Sequence, residues 1–135
     1  MKVLSYNLEK NKAVGELLAL IERHDLDLLC LQEVDAAALP SELGGMHLVD
    51  RTLANRLGLA IYHRSDRYTA LRTEAFALKK SLHDRIAKPA HERLLAARLV
   101  DRATDHELVV ASFHAAPLTA LNSLRRAQIA AAHER

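Results

Sequence analysis

Three short apolar runs in this chain each end on a polar residue of a type that enzymes use. The first ends on the amide of Asn7, the second on the carboxylate of Glu33 and the third on the imidazole of His114. Carboxylate and amide oxygens suit Mg²⁺, which binds through one or two carboxylates and keeps water and phosphate in its shell. An imidazole beside them could exchange a proton with a phosphate ester.

Each of these residues also has a purely structural interpretation. A strand-end carboxylate can be salt-bridged or solvated, and asparagine often ends a strand by bonding nearby backbone. The chain has eight histidines, so one at a strand end is not rare. Glu9 would point to the same face as Asn7 and could add a second oxygen ligand. Both interpretations stay open for Asn7, Glu33 and His114 on this evidence alone.

The elements around the first two runs predict how their ends are placed. Residues 2–8 and 27–33 have strand patterns, and residues 11–24 have the period of an amphipathic helix. The helix face consists of Val14, Leu17, Leu18 and Ile21. A strand–helix–strand unit of this length makes its two strands parallel. Because parallel strands end at the same edge of a sheet, we expect Asn7 and Glu33 to share an edge.

The rest of the chain predicts mostly strands and loops. Residues 35–45 and 79–93 have loop composition. The predicted strands are 46–51, 57–64, 68–78, 94–102 and 107–113, and a final helix is expected from Thr119 to about His133. Chain order does not set the direction of the last strand, so it does not bring His114 to the edge predicted above.

Composition limits the class of protein. The chain has 135 residues, half of them hydrophobic, a net charge of +2 and a single cysteine, Cys30. These values favour one folded domain in a reducing compartment. We see no signal-peptide pattern and no apolar stretch near the ~20 residues of a membrane span, so we expect a cytoplasmic protein that does not enter a membrane. Five aromatic residues are few for holding single strands by base stacking. The basic residues of 79–93 could follow a phosphate backbone or form a solvated loop.

Four motifs, taken in order, resemble the endonuclease/exonuclease/phosphatase superfamily, especially its deoxyribonuclease I-like members. They are VLSYN at 3–7, LQEV at 31–34, GLAIY at 58–62 and SFHAAP at 112–117, followed by the helix pattern of 122–128. The resemblance implies an α/β fold, a four-layer sandwich in which two mixed sheets pack face to face with helices outside. It also implies hydrolysis of phosphate esters by a water that Mg²⁺, or alternatively Mn²⁺, activates.

The resemblance also implies a role for each site residue. Glu33 would bind the metal, and Asn7 would bind it too or orient its shell and the scissile phosphate. His114 would be an acid/base or phosphate-binding imidazole. Arg93, at the start of its strand, would contact a substrate phosphate. Lys10 stands where members that act at abasic sites often have tryptophan, which argues against that specialisation.

The resemblance covers only part of the family domain. The sequence has no counterpart of the family's later Gly-Asp-x-Asn and Ser-Asp-His motifs. We therefore expect residues 1–135 to correspond to the N-terminal part of the family domain, with the second half of that domain missing. We therefore expect an apolar inner sheet face that lacks its cover, and association with a further copy, a second chain or a C-terminal segment that completes the sandwich. We also expect little or no activity from this chain alone.

Three functions are compatible with these residues. The favoured one is an endonuclease that hydrolyses DNA. A phosphatase or phosphodiesterase acting on a small phosphoester would use the same motifs. The alternative without catalysis is a half-domain that serves as a binding or complementation module. The motifs do not distinguish DNA from RNA or from small substrates, nor endo- from exo-cleavage.

Overall fold

The structure, a computed structural model, describes residues 1–54, 56–77, 92–114 and 132. The elements are β1 (Val3–Asn7), α1 (Leu17–His24), β2 (Leu28–Val34), β3 (Glu42–Leu43), β4 (Met46–Arg51), β5 (Gly58–His63), β6 (Tyr68–Ala77), β7 (Glu92–Asp101) and β8 (His106–Phe113), with 3₁₀ turns at Val14–Glu16 and Ala36–Ala38. The predicted loop 35–45 thus contains a 3₁₀ turn and a short strand. The predicted loop 79–93 and the final helix fall largely outside the described residues.

The strands form two sheets. Sheet 1 has the order β1-β2-β5-β4-β3, and sheet 2 has the order β6-β7-β8. β1 and β2 are parallel, with Asn7 opposite Gln32, as the strand–helix–strand pattern predicts. All other paired strands are antiparallel. This mixed α/β arrangement confirms the predicted fold class.

The helix that connects β1 and β2 is shorter than its sequence pattern predicts. The pattern covers residues 11–24, whereas α1 begins at Leu17 after a 3₁₀ turn. The backbone of Glu9, Lys10 and Asn11 has φ of 49°, 61° and 69°, which a right-handed helix cannot contain. The main-chain N–H of Leu8 donates to the carbonyl of Gln32 at 2.9 Å. The segment that follows β1 therefore stays paired with β2 as far as Leu8.

Two apolar clusters bury the two faces of sheet 1. The first packs α1 against the outer face, through residues such as Leu17, Ile21, Leu29 and Leu31. The second lies between the sheets and joins Leu28, Cys30, Leu59 and Ile61 of sheet 1 to Leu95, Ala97, Leu99 and Val110 of sheet 2. Covering both faces explains why β2 and β5 are almost continuously apolar.

The expectation of an uncovered inner sheet face is wrong for most of sheet 1. Sheet 2 already covers it, because the strands that follow β5 fold back across β2 and β5 and bury their inner side chains. The exception is the edge strand β1. Val3 lies opposite Leu28 and so faces the same side, yet its side chain is 48 % exposed. Within the described part of the chain, no helix is long and apolar enough to cross a membrane.

Candidate active site

Glu33 stands out from its strand because of a backbone bulge. Gln32 pairs with Leu59 of β5, and Val34 pairs with the adjacent Gly58. Glu33 therefore has no partner of its own in the ladder. The backbone of Glu33 takes a left-handed conformation, with φ of 55°. Non-glycine residues held in this region cluster at functional sites, where the surrounding structure maintains the strain. The bulge directs a carboxylate away from the ladder at the end of β2.

Both carboxylate oxygens of Glu33 have partners. The main-chain N–H of Lys10 donates to Oε2 at 2.7 Å. The amide Nδ2 of Asn7 donates to Oε1 at 3.4 Å, and Nε2 of His114 lies 3.4 Å from the same oxygen. The carboxylate is 24 % exposed, so solvent and a ligand can still reach it. The structure thus brings Asn7, Glu33 and His114 together around one carboxylate.

The loop after β1 closes over this carboxylate in a strained conformation. Its three consecutive left-handed residues, 9–11, make a turn that points the N–H of Lys10 at Glu33. Asn7 Oδ1 accepts from the main chain of Glu9 at 2.9 Å, and Asn11 Oδ1 accepts from that of Asp35 at 3.1 Å. Side-chain amides therefore hold the loop at both of its ends.

His114 reaches the site because β8 lies across β2 in the facing sheet. Its main-chain N–H donates to the carbonyl of Arg93 at 2.9 Å, which continues the β7–β8 ladder by one residue. Two residues earlier, Ser112 is buried against β2 and donates to the carbonyl of Leu31 at 2.9 Å. The direction of β8, which chain order left open, therefore places His114 at the edge where Glu33 lies.

Arg93 lies next to the site and is largely buried. It is the second residue of β7 and is only 8 % exposed. Its carbonyl supports His114, as described above. Its predicted contact with a substrate phosphate stays a prediction.

Solved structures with the same architecture identify the fold. Human Nocturnin catalytic domain superposes with a TM-score of 0.71 at 17 % identity, over 93 % of this chain and 54 % of its own. A humanised form of D. rerio TDP2 gives 0.77 at 15 % identity, over 98 % and 57 %. ANGEL2 gives 0.69 at 22 % identity, over 95 % and 45 %. All three proteins belong to the endonuclease/exonuclease/phosphatase superfamily. The chain has the endonuclease/exonuclease/phosphatase fold.

The likeness is one of structure rather than sequence. No family model matches the sequence, and no curated protein matches it significantly. The chain also spans only about half the length of the superfamily structures named above. It therefore has the fold of part of such a domain, as the four sequence motifs predict.

The donor atoms at this edge suit a hard cation in an open site. Among the described residues, no three His, Cys, Asp or Glu side chains come together to hold a metal. In the described part of the chain, this edge offers the carboxylate of Glu33 and the amide oxygen of Asn7, which uses one of its two lone pairs on the loop backbone. Mg²⁺ binds through few protein oxygens and keeps its waters, so these residues fit it, whereas a closed metal cage does not form.

Sequence reasoning missed three contributors to the site. The N–H of Lys10 could not be anticipated, since a main-chain donor is not revealed by residue type. Gln32 and Ser112 are buried polar residues beside apolar stretches of their strands, 6 % and 1 % exposed. That contrast is visible in the sequence and could have indicated them. Cys30, by contrast, lies in the core between the sheets, where burial raises the pKa of its thiol to about 11, so it is not a nucleophile near neutral pH.

A pocket lies at the opposite end of β1 and β2. It has a volume of about 630 Å³ and is rich in arginine and aspartate. Two of its arginines are paired with aspartates: Arg64 binds Asp25, and Arg67 binds Asp101 at 3.1 Å. Asp27 lies 3.7 Å from Arg67 and completes the network. We interpret this pocket as a structural ion network that closes the far end of the sandwich.

Proposed function

We propose that this chain is the N-terminal part of a Mg²⁺-dependent phosphodiesterase whose substrate is DNA. The observation that carries the proposal is the cluster at one sheet edge, where the carboxylate of Glu33 meets the amide of Asn7 and the imidazole of His114 within 3.4 Å. A carboxylate, an imidazole and an amide at one exposed edge are groups that can bind and protonate a phosphate ester.

Each side chain has a distinct task in this proposal. Glu33 supplies the anionic oxygen that holds a divalent cation, and the N–H of Lys10 keeps that carboxylate in place. Asn7 orients Glu33 and offers an amide oxygen. His114, whose Nε2 lies 3.4 Å from Oε1 of Glu33, would donate a proton to, or bind, an oxygen of a phosphate held at this edge. When bound, Mg²⁺ would neutralise charge on the phosphate and activate water.

The choice of DNA rests on a structural neighbour. D. rerio TDP2, which superposes on 92 % of this chain, has been solved with a single-strand DNA product. A small phosphoester is the second candidate, because ANGEL2 is a 2',3'-cyclic phosphatase seen with adenosine-2',3'-vanadate. Salt distinguishes them, since each phosphate contact on a nucleic acid releases counterions and binding then weakens steeply with ionic strength.

Full activity requires more than these 135 residues. Glu33 and His114 can hold a cation and move a proton, but they do not also position the attacking water and stabilise the leaving group. A C-terminal segment or a second chain would supply those groups. We place the complete enzyme in the cytoplasm, with Mn²⁺ as an alternative ion. If the chain is instead a binding module without turnover, Glu33→Gln leaves its partner binding intact.

Metal binding tests the proposal without requiring turnover. We expect the purified chain to bind Mn²⁺, measured by loss of the free-ion EPR signal, and Glu33→Gln to weaken binding by at least about tenfold, as the loss of even an outer partner does. Glu107→Gln is the matched control, because that carboxylate lies on β8 in an exposed pair with Arg98. Equal affinities for all three proteins would refute the site. The same substitutions in the protein extended to a complete domain then test metal-dependent cleavage of DNA.

A further inference from the structure

A buried polar contact crosses the two sheets directly beneath the candidate site. The side-chain Nε2 of Gln32, on β2, donates to Oγ of Ser112, on β8, at 3.0 Å. Ser112 in turn donates to the main-chain carbonyl of Leu31 at 2.9 Å. Gln32 also donates to Oγ of Ser5, on β1, at 3.1 Å. One amide therefore connects three strands, and each of those strands leads into a candidate site residue.

Hydrogen bonding along the backbone cannot set the distance between Glu33 and His114. β2 and β8 belong to different sheets, so no main-chain ladder joins them. The apolar side chains between the sheets attract one another without preferred direction, and they would tolerate a small slide of one sheet over the other. A hydrogen bond depends on both distance and angle, and it does not tolerate that slide.

The positions of the two polar residues match this requirement. Gln32 directly precedes Glu33, and Ser112 lies two residues before His114. Burying an amide and a hydroxyl costs free energy unless their hydrogen bonds are made, whereas an apolar pair would pack there without that cost. A hydrogen-bonded polar pair in a core is favoured where it selects one arrangement of the elements.

We propose that Gln32 and Ser112 are positioning residues that fix the register between the sheets and so hold the imidazole of His114 against the carboxylate of Glu33. Neither needs to touch a substrate or a metal. The importance of that register for catalysis rests on the proposed function, but the positional claim itself does not.

The test measures whether His114 still senses Glu33. The ring signals of His114 are assigned by NMR with a His114→Gln variant, and their shift on Glu33→Gln is recorded at one fixed pH. We expect this shift in the unmodified chain and at least a twofold smaller shift when Ser112→Ala is also present. No metal and no turnover are needed, so a failure of the proposed enzyme function would leave this result unaffected.

Ser5→Ala is the matched control. It removes another hydroxyl bonded to the same amide of Gln32, but that bond lies within sheet 1 and does not cross the sheets. We expect His114 to respond to Glu33→Gln fully in this background. An equal response in the Ser5→Ala and Ser112→Ala backgrounds would overturn the proposal.

A second variant guards against loss of folding. Should the backbone spectrum of Ser112→Ala show an unfolded chain, Gln32→Met removes the bond between Gln32 and Ser112 and keeps the bond from Ser112 to Leu31, which also crosses the sheets. We therefore expect a smaller response of His114 than in the unmodified chain, and a smaller loss than complete removal of the crossing bonds would cause. A full response of His114 in folded Gln32→Met would refute the role of Gln32.

Discussion

The packing of the two sheets predicts a large difference between two leucine substitutions in sheet 2. Leu95 lies on β7 in the cluster between the sheets and is fully buried. Leu71 lies on β6, and its side chain is 52 % exposed. Both are leucines in the same sheet, so Leu95→Ala and Leu71→Ala remove the same atoms from two different environments.

The expected costs follow from burial. Removing a fully buried leucine side chain costs about 3–5 kcal/mol, because the cavity that remains adds to the lost transfer free energy. Complete burial of a leucine is worth about 1.5–3 kcal/mol, so a side chain that is half exposed and leaves no enclosed cavity should cost about 1 kcal/mol or less. The difference between the two variants is therefore about 2 kcal/mol or more.

Urea denaturation of the purified chain, followed by circular dichroism, measures this difference. With a urea m-value of about 1–3 kcal/mol/M, Leu95→Ala should lower the midpoint by about 1 M or more, and Leu71→Ala by much less. Equal midpoints for the two variants would refute the claim that sheet 2 covers the inner face of sheet 1. A loss below about 1 kcal/mol for Leu95→Ala would do so as well.

Three further predictions concern acid stability, thiol reactivity and a close backbone contact. The guanidinium of Arg67 lowers the pKa of Asp101 from its ordinary value of 3.8, so the stability that this pair contributes is present above that pH and is lost as the pH falls below it. Asp101→Asn should flatten the loss of stability between pH 4 and pH 2, as measured by acid titration of the unfolding midpoint; an unchanged slope would contradict the pairing. The thiol of Cys30 should resist a disulfide reagent at pH 8 in the folded chain and react in urea, because burial raises its pKa to about 11; rapid labelling without denaturant would show that the core is open. A Cβ added at Gly58 would lie 2.5 Å from the hydroxyl and 2.7 Å from the backbone carbonyl oxygen of Thr52. Gly58→Ala should therefore lower the free energy of unfolding by about 1–3 kcal/mol, as measured by urea denaturation. Gly15→Ala is its control, since nothing lies within 4 Å there, and similar losses for both would count against that contact.

Local sequence pattern predicts much of the arrangement at the edge of sheet 1 where β1 and β2 end. The strand–helix–strand pattern predicts parallel β1 and β2 from periodicity alone, and parallel strands must end at the same edge. Asn7 and Glu33 therefore come together for a reason that the sequence contains. The start of α1 is harder to predict from the sequence, because the left-handed turn at residues 9–11 contacts the carboxylate of Glu33, which is distant along the chain.

The remaining features depend on contacts between residues distant along the chain. The bulge that turns Glu33 outward arises where β2 pairs with β5. Lys10 contributes to the site through its main-chain N–H, which residue type does not reveal. The covered inner face depends on strands that follow β5 folding back across the first sheet.

The sequence by itself determined the fold class, the shared edge of Asn7 and Glu33 and the set of candidate residues, because hydrophobic period and chain direction are local properties. Only the tertiary structure decided that His114 reaches the same carboxylate. That contact requires β8 to lie across β2 in a facing sheet, and the register between two sheets is set by side chains such as Gln32 and Ser112, which are 80 residues apart in the chain.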